Sequence, residues 1–361
     1  MVGFSISILT KGRLECLVPL FSAVEREKGD NSTIPCEVNI IDDSDPEEQK
    51  RIQELCTQYG FNYYYFKGGI SPKRNEAIRR ASHEIIWFVD SDCEPQRGVM
   101  SAYVDTFDHN ANISGVLGVV VFDGEKPFFW SVIEQAGFTT TFSFAKFMDY
   151  ALWGPCANIC LRKKDLESIG GFKEEPPYDY SAEDVDIGLR LNKKGFAIKC
   201  NPRAVVHHST STWLPFFPLC RKVFRWGRTD YYLMRDHYDM TFPEYPRFPF
   251  MIVLVGLASL IPGISFRMPL LFFVLVPVLL WFYKLLEKKS RIQDLCRDFF
   301  AFYLKQWYET GFVIESLRHS KFTYLFKKIL YGTPQLTFEI PDRTGMALSM
   351  LLSLILAFFL Q

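Results

Sequence analysis

Through the first two-thirds of the chain, apolar residues fall in short runs separated by polar stretches with helical spacing. The runs Phe4–Leu9, Glu37–Asp42, Asn62–Phe66, His83–Val89, Val116–Phe122 and Ala197–Asn201 predict strands. Between them, Glu47–Tyr59 after Pro46 predicts a helix, as does the stretch from Ser71-Pro72 to Ala81, with Ser71 as N-cap. A further helix opens at Glu183-Asp184-Val185-Asp186 and runs through Arg190 and Leu191 to Gly195. Strands alternating with helices imply an α/β domain with a mostly parallel central sheet. The run Ile85-Ile86-Trp87-Phe88-Val89 has no polar alternation, so it reads as a central strand buried on both faces.

The pattern changes near Phe248. Two uninterrupted apolar runs follow, Phe248–Ile264 and Met268–Tyr283, with Pro262-Gly263 and Phe266-Arg267 between them. Each is near the lower length limit for a helix that crosses a bilayer, and the pair predicts a transmembrane hairpin over 248–283. A third run, Met346–Leu360, predicts a C-terminal transmembrane helix within 344–361. The intervening stretch Lys284–Arg343 holds eleven Lys or Arg against seven Asp or Glu, a net of +4. The positive-inside rule assigns such a stretch to the cytoplasmic side. Two crossings before it put the N-terminal domain on that side too. Within it, Phe299, Phe302, Tyr303, Trp307 and Phe312 lie among charges, as in an amphipathic helix at a membrane surface. The expected organisation is therefore a catalytic-type domain over 1–230, a linker over 231–247, the hairpin, the interfacial stretch 284–343 and the last helix.

Composition agrees with a bilayer contact. Phe occurs 34 times and aromatic residues make up 16% of the chain, high for a soluble enzyme. The formal net charge is zero, which removes the electrostatic case for a nucleic-acid partner. Nine cysteines without a C-x-x-C pair argue for a reducing compartment and against a disulfide framework or zinc site. Met1–Leu9 runs directly into Lys11-Gly12-Arg13, the reverse of a signal peptide's order. These features together describe an integral membrane protein with a cytoplasmic catalytic domain.

The chemistry begins where the buried strand ends, at Asp90-Ser91-Asp92. Two carboxylates at the carboxyl edge of an open α/β sheet lie where such sheets bind ligands. They repel each other unless a cation or proton intervenes, and a divalent ion (Mg²⁺ or Mn²⁺) carrying a diphosphate satisfies both. Three more polar clusters sit at element ends: Asp42-Asp43-Ser44 after a strand, Lys73-Arg74-Asn75 on a first helical turn, and the acids at 183–186.

In order and spacing these clusters resemble the family 2 glycosyltransferases, whose catalytic domain has the GT-A fold. The resemblance rests on NIIDDSD, SPKRNEAIRRASHEIIWFVDSDCEP, GPCANICLRKKDLESIGGF and SAEDVDIGLRLNKKGF, and covers roughly residues 4–230. It implies metal-assisted, inverting transfer from a nucleotide sugar, a UDP-sugar before a GDP-sugar. It implies that Asp184 is the catalytic base, which takes the acceptor hydroxyl's proton. Asp92 and Asp90 become metal ligands, with Asp90 also in reach of the ribose or diphosphate. Lys73 and Arg74 become phosphate contacts. One of Asp42 and Asp43 contacts base or ribose, and Asn158 places the donor sugar or the acceptor. Trp153 is a candidate for stacking on a ring. In His207-His208, His207 is taken as a third metal ligand or diphosphate contact.

The segment Lys222–Asp230 resembles the Q-x-x-R-W motif of processive relatives through Arg225 and Trp226, which become donor or acceptor contacts. Lys222 stands where the glutamine would be. The expected reaction is single transfer to a lipid-linked acceptor, a polyprenyl phosphate or glycolipid, or to a glycan, with membrane lipids as partners. Competing readings are a processive polysaccharide synthase, a membrane nucleotidyltransferase and a non-catalytic binding protein.

Overall fold

The computed structural model describes residues 3–244, 246–258, 260, 278 and 292–332. The chain divides into two compact units, one of residues 1–125 with 139–214 and one of residues 126–138 with 215–361. The division falls after Leu214, and one helix, Phe216–Asp236, runs unbroken across position 230.

The first unit carries a nine-stranded sheet. Its strands are β1 (Phe4–Thr10), β2 (Cys36–Asp42), β3 (Asn62–Tyr65), β4 (Ile85–Asp90), β5 (Cys93–Pro95), β6 (Ile113–Asp123), β7 (Tyr150–Ala151), β8 (Asn158–Arg162) and β9 (Ala197–Ser209). Their order is β3-β2-β1-β4-β8-β6-β9-β5, with β7 also on β9. The strands β3, β2, β1, β4, β6 and β9 point one way; β8, β5 and β7 oppose them. The expected mixed α/β architecture with a mostly parallel sheet is thus present. The helices are α1 (Leu14–Asp30), α2 (Pro46–Tyr59), α3 (Ile70–Arg80), α4 (Val99–His109), α6 (Lys163–Ser168) and α7 (Glu183–Lys193); α5 (Phe128–Gln135) belongs to the second unit.

The core forms where α1 lays Leu17, Leu20, Phe21 and Val24, at i, i+3, i+4 and i+7, on Ile6 and Ile8 of β1. Central strand β4 is buried throughout Ile85–Val89, as its lack of alternation predicts. One detail differs at α3. Gly69 is its N-cap, and the Ser71 hydroxyl instead donates to the Tyr178 carbonyl at 2.5 Å, tying α3 to the segment that leads into α7.

The second unit contains α5, α8 (Phe216–Asp236), α9 (Phe248–Ala258), α10 (Ile292–Arg318) and a two-stranded pair, β10 (Thr241–Pro243) with β11 (Lys327–Ile329). The expected hairpin and final membrane helix lie outside the described residues apart from α9, Leu260 and Val278. No helix among the described residues is long and apolar enough to cross a membrane. The expected amphipathic segment is a long helix, α10. Leu304, Phe312 and Val313 are buried on it, while Phe299, Phe300 and Trp307 are exposed. Phe300 meets Phe128 and Phe129 of α5, and Phe129 stacks on Phe216 of α8 at 4.5 Å.

Backbones of α8 and α10 touch. A Cβ on Gly227 would lie 1.7 Å from the Tyr308 carbonyl oxygen, and one on Gly311 2.3 Å from that of Phe224. A mid-helix glycine replaced by alanine ordinarily gains about 1 kcal/mol. Here Gly227→Ala is expected to lower stability by about 2–4 kcal/mol, because the helices must separate. The sign of the shift in the urea midpoint checks this.

Candidate active site

Parallel register sets the frame. β1 pairs Thr10 with Asp42 and Leu9 with Asp90, so the ends of β2, β1 and β4 lie side by side. The turn after β1, the Asp42–Ser44 turn and the Asp90–Asp92 turn therefore share one edge.

At the β2 end the two expected acids separate. Asp42 is fully buried; its Oδ1 accepts from the Ser44 amide at 3.0 Å and hydroxyl at 2.5 Å, and its Oδ2 from the Tyr63 hydroxyl at 2.8 Å. Internal partners thus engage both oxygens. Asp43 instead takes Lys73 Nζ at 2.6 Å and lies 3.7 Å from Lys11 Nζ. Lys73 also donates to the Thr10 carbonyl at 3.0 Å, which holds this cation at the junction of β1 and β2.

At the β4 end Arg74 gathers the acids. Its Nη2 is 3.1 Å from Glu183 Oε1 and 3.8 Å from Asp90 Oδ1, and its Nε donates to the same Glu183 oxygen at 3.3 Å. Its guanidinium lies beside the edge-to-face pair Phe88 and Phe172, 5.7 Å from each centroid. Asp184 follows Glu183 on the first turn of α7. The N-cap of that helix is Ala182, a non-glycine residue in the left-handed region at φ 59°. Burial raises the Asp184 carboxyl to about 8; the neighbouring Glu183 charge adds to the rise and Arg74 opposes it. Burial also raises Glu183, against the pull of Arg74. Asp90, distant from 184 in sequence, contributes to both shifts, so these carboxylates share one electrostatic site.

Asp92 is buried and has two partners. Arg13 Nη1 lies 2.9 Å from its Oδ2, and His208 Nε2 lies 3.5 Å from its Oδ1. The Nδ1 of His208 is 2.9 Å from the Ser209 carbonyl, which can only accept, so Nδ1 carries the proton. Nε2 is then the ring atom that faces the Asp92 carboxylate, and in the neutral ring its lone pair and that oxygen can ligate one cation. Asp92, Cys93 and His208 place one ligand atom each within 4.8 Å of one another. Carboxylate oxygen suits Mg²⁺ or Mn²⁺, and an added imidazole nitrogen suits Mn²⁺ better than the harder Mg²⁺; the thiol suits both less. Asp92 and His208 thus fit the expected divalent ion.

Several expected residues fall elsewhere. His207 is not the histidine at Asp92. Adjacent strand residues face opposite ways, and β5 pairs Cys93 with His208, so His207 is 39% exposed on its side chain and 3.9 Å from Asp123. Asn158 is fully buried. Its Oδ1 accepts from Trp87 Nε1 and the Tyr103 hydroxyl, and its Nδ2 donates to the Val119 and Ala204 carbonyls. All its hydrogen-bonding capacity is spent on joining β4, α4, β6 and β9, not on a ligand. Trp153 is buried beside Phe144. Arg225 and Trp226 lie on α8 of the second unit, where Lys222 Nζ sits 5.2 Å from the Trp226 ring.

The sequence profile of glycosyl transferase family 21 matches residues 67–320, more than half of the chain. The chain belongs to glycosyl transferase family 21. The expected glycosyltransferase family is thus present, under number 21, and the resemblance to family 2 fits it. Two curated relatives are similar to just under half of this chain. The O-antigen biosynthesis protein RfbC of Myxococcus xanthus is 26% identical over 180 residues, 45% of this chain and 13% of that protein. The pre-mycofactocin glycosyltransferase of Mycobacterium tuberculosis is 27% identical over 178 residues, 48% of this chain and 37% of that protein. The family 21 chain thus spans well under half the length of either. Among solved structures, the mannosyltransferase PcManGT from Pyrobaculum calidifontis, in complex with GDP-Man and Mn²⁺, aligns at a TM-score of 0.55 with 13% identity. That alignment covers 88% of this chain and 87% of the other, which establishes a shared fold.

Proposed function

We propose that this chain is a metal-assisted glycosyltransferase that moves one sugar, with inversion, from a nucleoside-diphosphate sugar to a lipid-linked or glycan acceptor. The observation that carries the reading is the convergence of Asp90 and Glu183 on Arg74, with Asp184 next to Glu183 on the first turn of α7 and within electrostatic reach of all three, beside the Asp92–His208 pair. An inverting displacement needs a base on one side of the anomeric carbon and a neutralised leaving group on the other. Asp184, with its proton affinity raised by burial, suits the first role. Asp92 and His208 would hold the divalent ion, with Asp90 adjacent; when bound, it neutralises the departing diphosphate. Asp43 and Lys73 close the nucleotide end, where Lys73 offers charge to phosphate and Asp43 an acceptor to the ribose or base.

A membrane acceptor suits the three apolar runs of the sequence and the exposed Phe299, Phe300 and Trp307 of α10, which would leave the catalytic unit on the cytoplasmic side. The bilayer then concentrates the acceptor beside the site. A nucleotidyltransferase would also use the paired acids, but it gives Asp184 nothing to do.

Purified full-length protein in detergent, offered UDP-, GDP- and dTDP-sugars with Mn²⁺ or Mg²⁺, is expected to consume one donor only when metal is present. Release of pyrophosphate instead of nucleoside diphosphate would overturn the reading, as would a ladder of product lengths for single transfer. Asp92→Asn is expected to weaken Mn²⁺ and nucleotide binding together by about tenfold or more.

A further inference from the structure

The turn after β1 carries two cations that the nucleotide-site residues do not account for, Lys11 and Arg13. It is a built turn. Gly12 and Arg13 are both left-handed, at φ 72° and 66°. The Thr10 hydroxyl donates to the Gly12 carbonyl at 2.7 Å, and the Gly12 amide to Ser44 Oγ at 2.6 Å. A Cβ on Gly12 would lie 2.8 Å from Glu48 Oε2, the mobile end of a side chain, so it is the left-handed conformation that calls for glycine. Arginine has no such excuse: a left-handed conformation costs a non-glycine residue on the order of 1 kcal/mol. That strain aims the Arg13 side chain at Asp92, where Nη1 meets Oδ2 at 2.9 Å. Asp92 is 5% exposed on its side chain and Arg13 45%, so the acid is fixed and the cation is not.

The same Asp92 is the acid that His208 approaches from the other oxygen. A guanidinium and a divalent cation compete for one carboxylate, since each repels the other. An incoming nucleoside diphosphate, however, brings phosphate oxygens that a guanidinium binds in the same bidentate way as a carboxylate. Resting on the donor and metal reading above, we infer that Arg13 is an exchangeable counter-ion. It neutralises Asp92 in the free protein, leaves it when the metal arrives, and transfers to the donor's diphosphate. No bond is made or broken; one ion pair replaces another. The consequence is thermodynamic coupling: metal and nucleotide each remove the obstacle to the other, so they bind together better than either alone.

The test separates the two ligands. Binding of Mn²⁺ alone to the full chain is read from the loss of the free-ion electron paramagnetic resonance signal, and binding of UDP and of GDP is read by calorimetry at saturating Mn²⁺. Arg13→Met keeps length and removes charge. It is expected to bind Mn²⁺ alone about fivefold more tightly than the parent, the effect of deleting a half-exposed competing pair, and to bind the nucleoside diphosphate about tenfold more weakly. Arg13→Lys should move both values back toward the parent. Opposite signs for the two ligands are the signature, since misfolding would weaken both. Unchanged or weaker Mn²⁺ binding in Arg13→Met, while Asp92→Asn abolishes it, overturns the exchange and leaves the metal site standing. If Asp92→Asn also leaves Mn²⁺ binding unchanged, the metal reading itself fails, and the exchange with it.

Discussion

Asp184→Asn is expected to lower turnover by about 10³- to 10⁴-fold, the full contribution of a positioned general base. The amide is isosteric and keeps the carbonyl oxygen that accepts from the Val185 amide at 2.8 Å, so the first turn of α7 is preserved. Nucleotide affinity in Mn²⁺ should stay within about twofold, because only transition-state stabilisation is lost. Single-turnover transfer and calorimetry check the two parts separately. A variant that retained more than about a tenth of the turnover would take Asp184 out of the proton transfer.

The pH dependence follows from the same carboxyl. Burial and the Glu183 charge raise Asp184 from its ordinary 3.8 to about 8. A base works only when deprotonated, so kcat/KM of the free enzyme should rise with pH through a limb near that value. Glu183→Gln removes one of the raising charges and should move the limb to lower pH. Stability runs the other way. Between 3.8 and about 8 the folded chain holds a proton that the unfolded chain has released, so this group's contribution is fully present below pH 3.8 and is lost as pH rises through 8. Urea midpoints of the parent and Asp184→Asn, compared across that range, isolate the effect.

What could be read from the chain, and what could not, divides along sequence distance. Strand β4 and its terminal acids are local, since an unbroken apolar run followed by Asp90-Ser91-Asp92 states both burial and exit. Asp184 is equally local to the start of α7. Partner choice is not local. Asp42 and Asp43 are adjacent and chemically identical, and only the Tyr63 hydroxyl of β3 and Lys73 of α3 tell them apart. His207 and His208 differ only in which face of β9 they occupy, which the register against β5 decides. Asn158 opens a strand, as a ligand-facing residue does, yet it fills a buried junction of four elements. Arg13 carried one visible signal, a basic residue in a glycine turn at a strand's carboxyl end. Its target lies 79 positions along the chain.

Arg74→Met is expected to destabilise the protein by about 3–5 kcal/mol at pH 8, the usual cost of removing one partner from a buried ion pair. Arg74 is 4% exposed on its side chain and, among the described residues, is the one cation within ion-pair distance of Glu183 or Asp90. Methionine keeps apolar contact with Phe88 and Phe172, so packing loss is the smaller part. Without the guanidinium, Glu183 and Asp184 lose the lowering influence that Arg74 exerts on both, and their proton affinities rise further. The folded variant then binds more protons than the parent at neutral pH, so its deficit should grow with pH and be smaller at pH 5 than at pH 8. Arg74→Lys restores charge without the planar fork and should recover most of the stability at pH 8 but not the two-nitrogen grip on Glu183. Urea midpoints at pH 5 and pH 8 decide the matter. Equal losses at both would mean that Arg74 acts by packing beside two rings and not by holding Glu183 and Asp90 together.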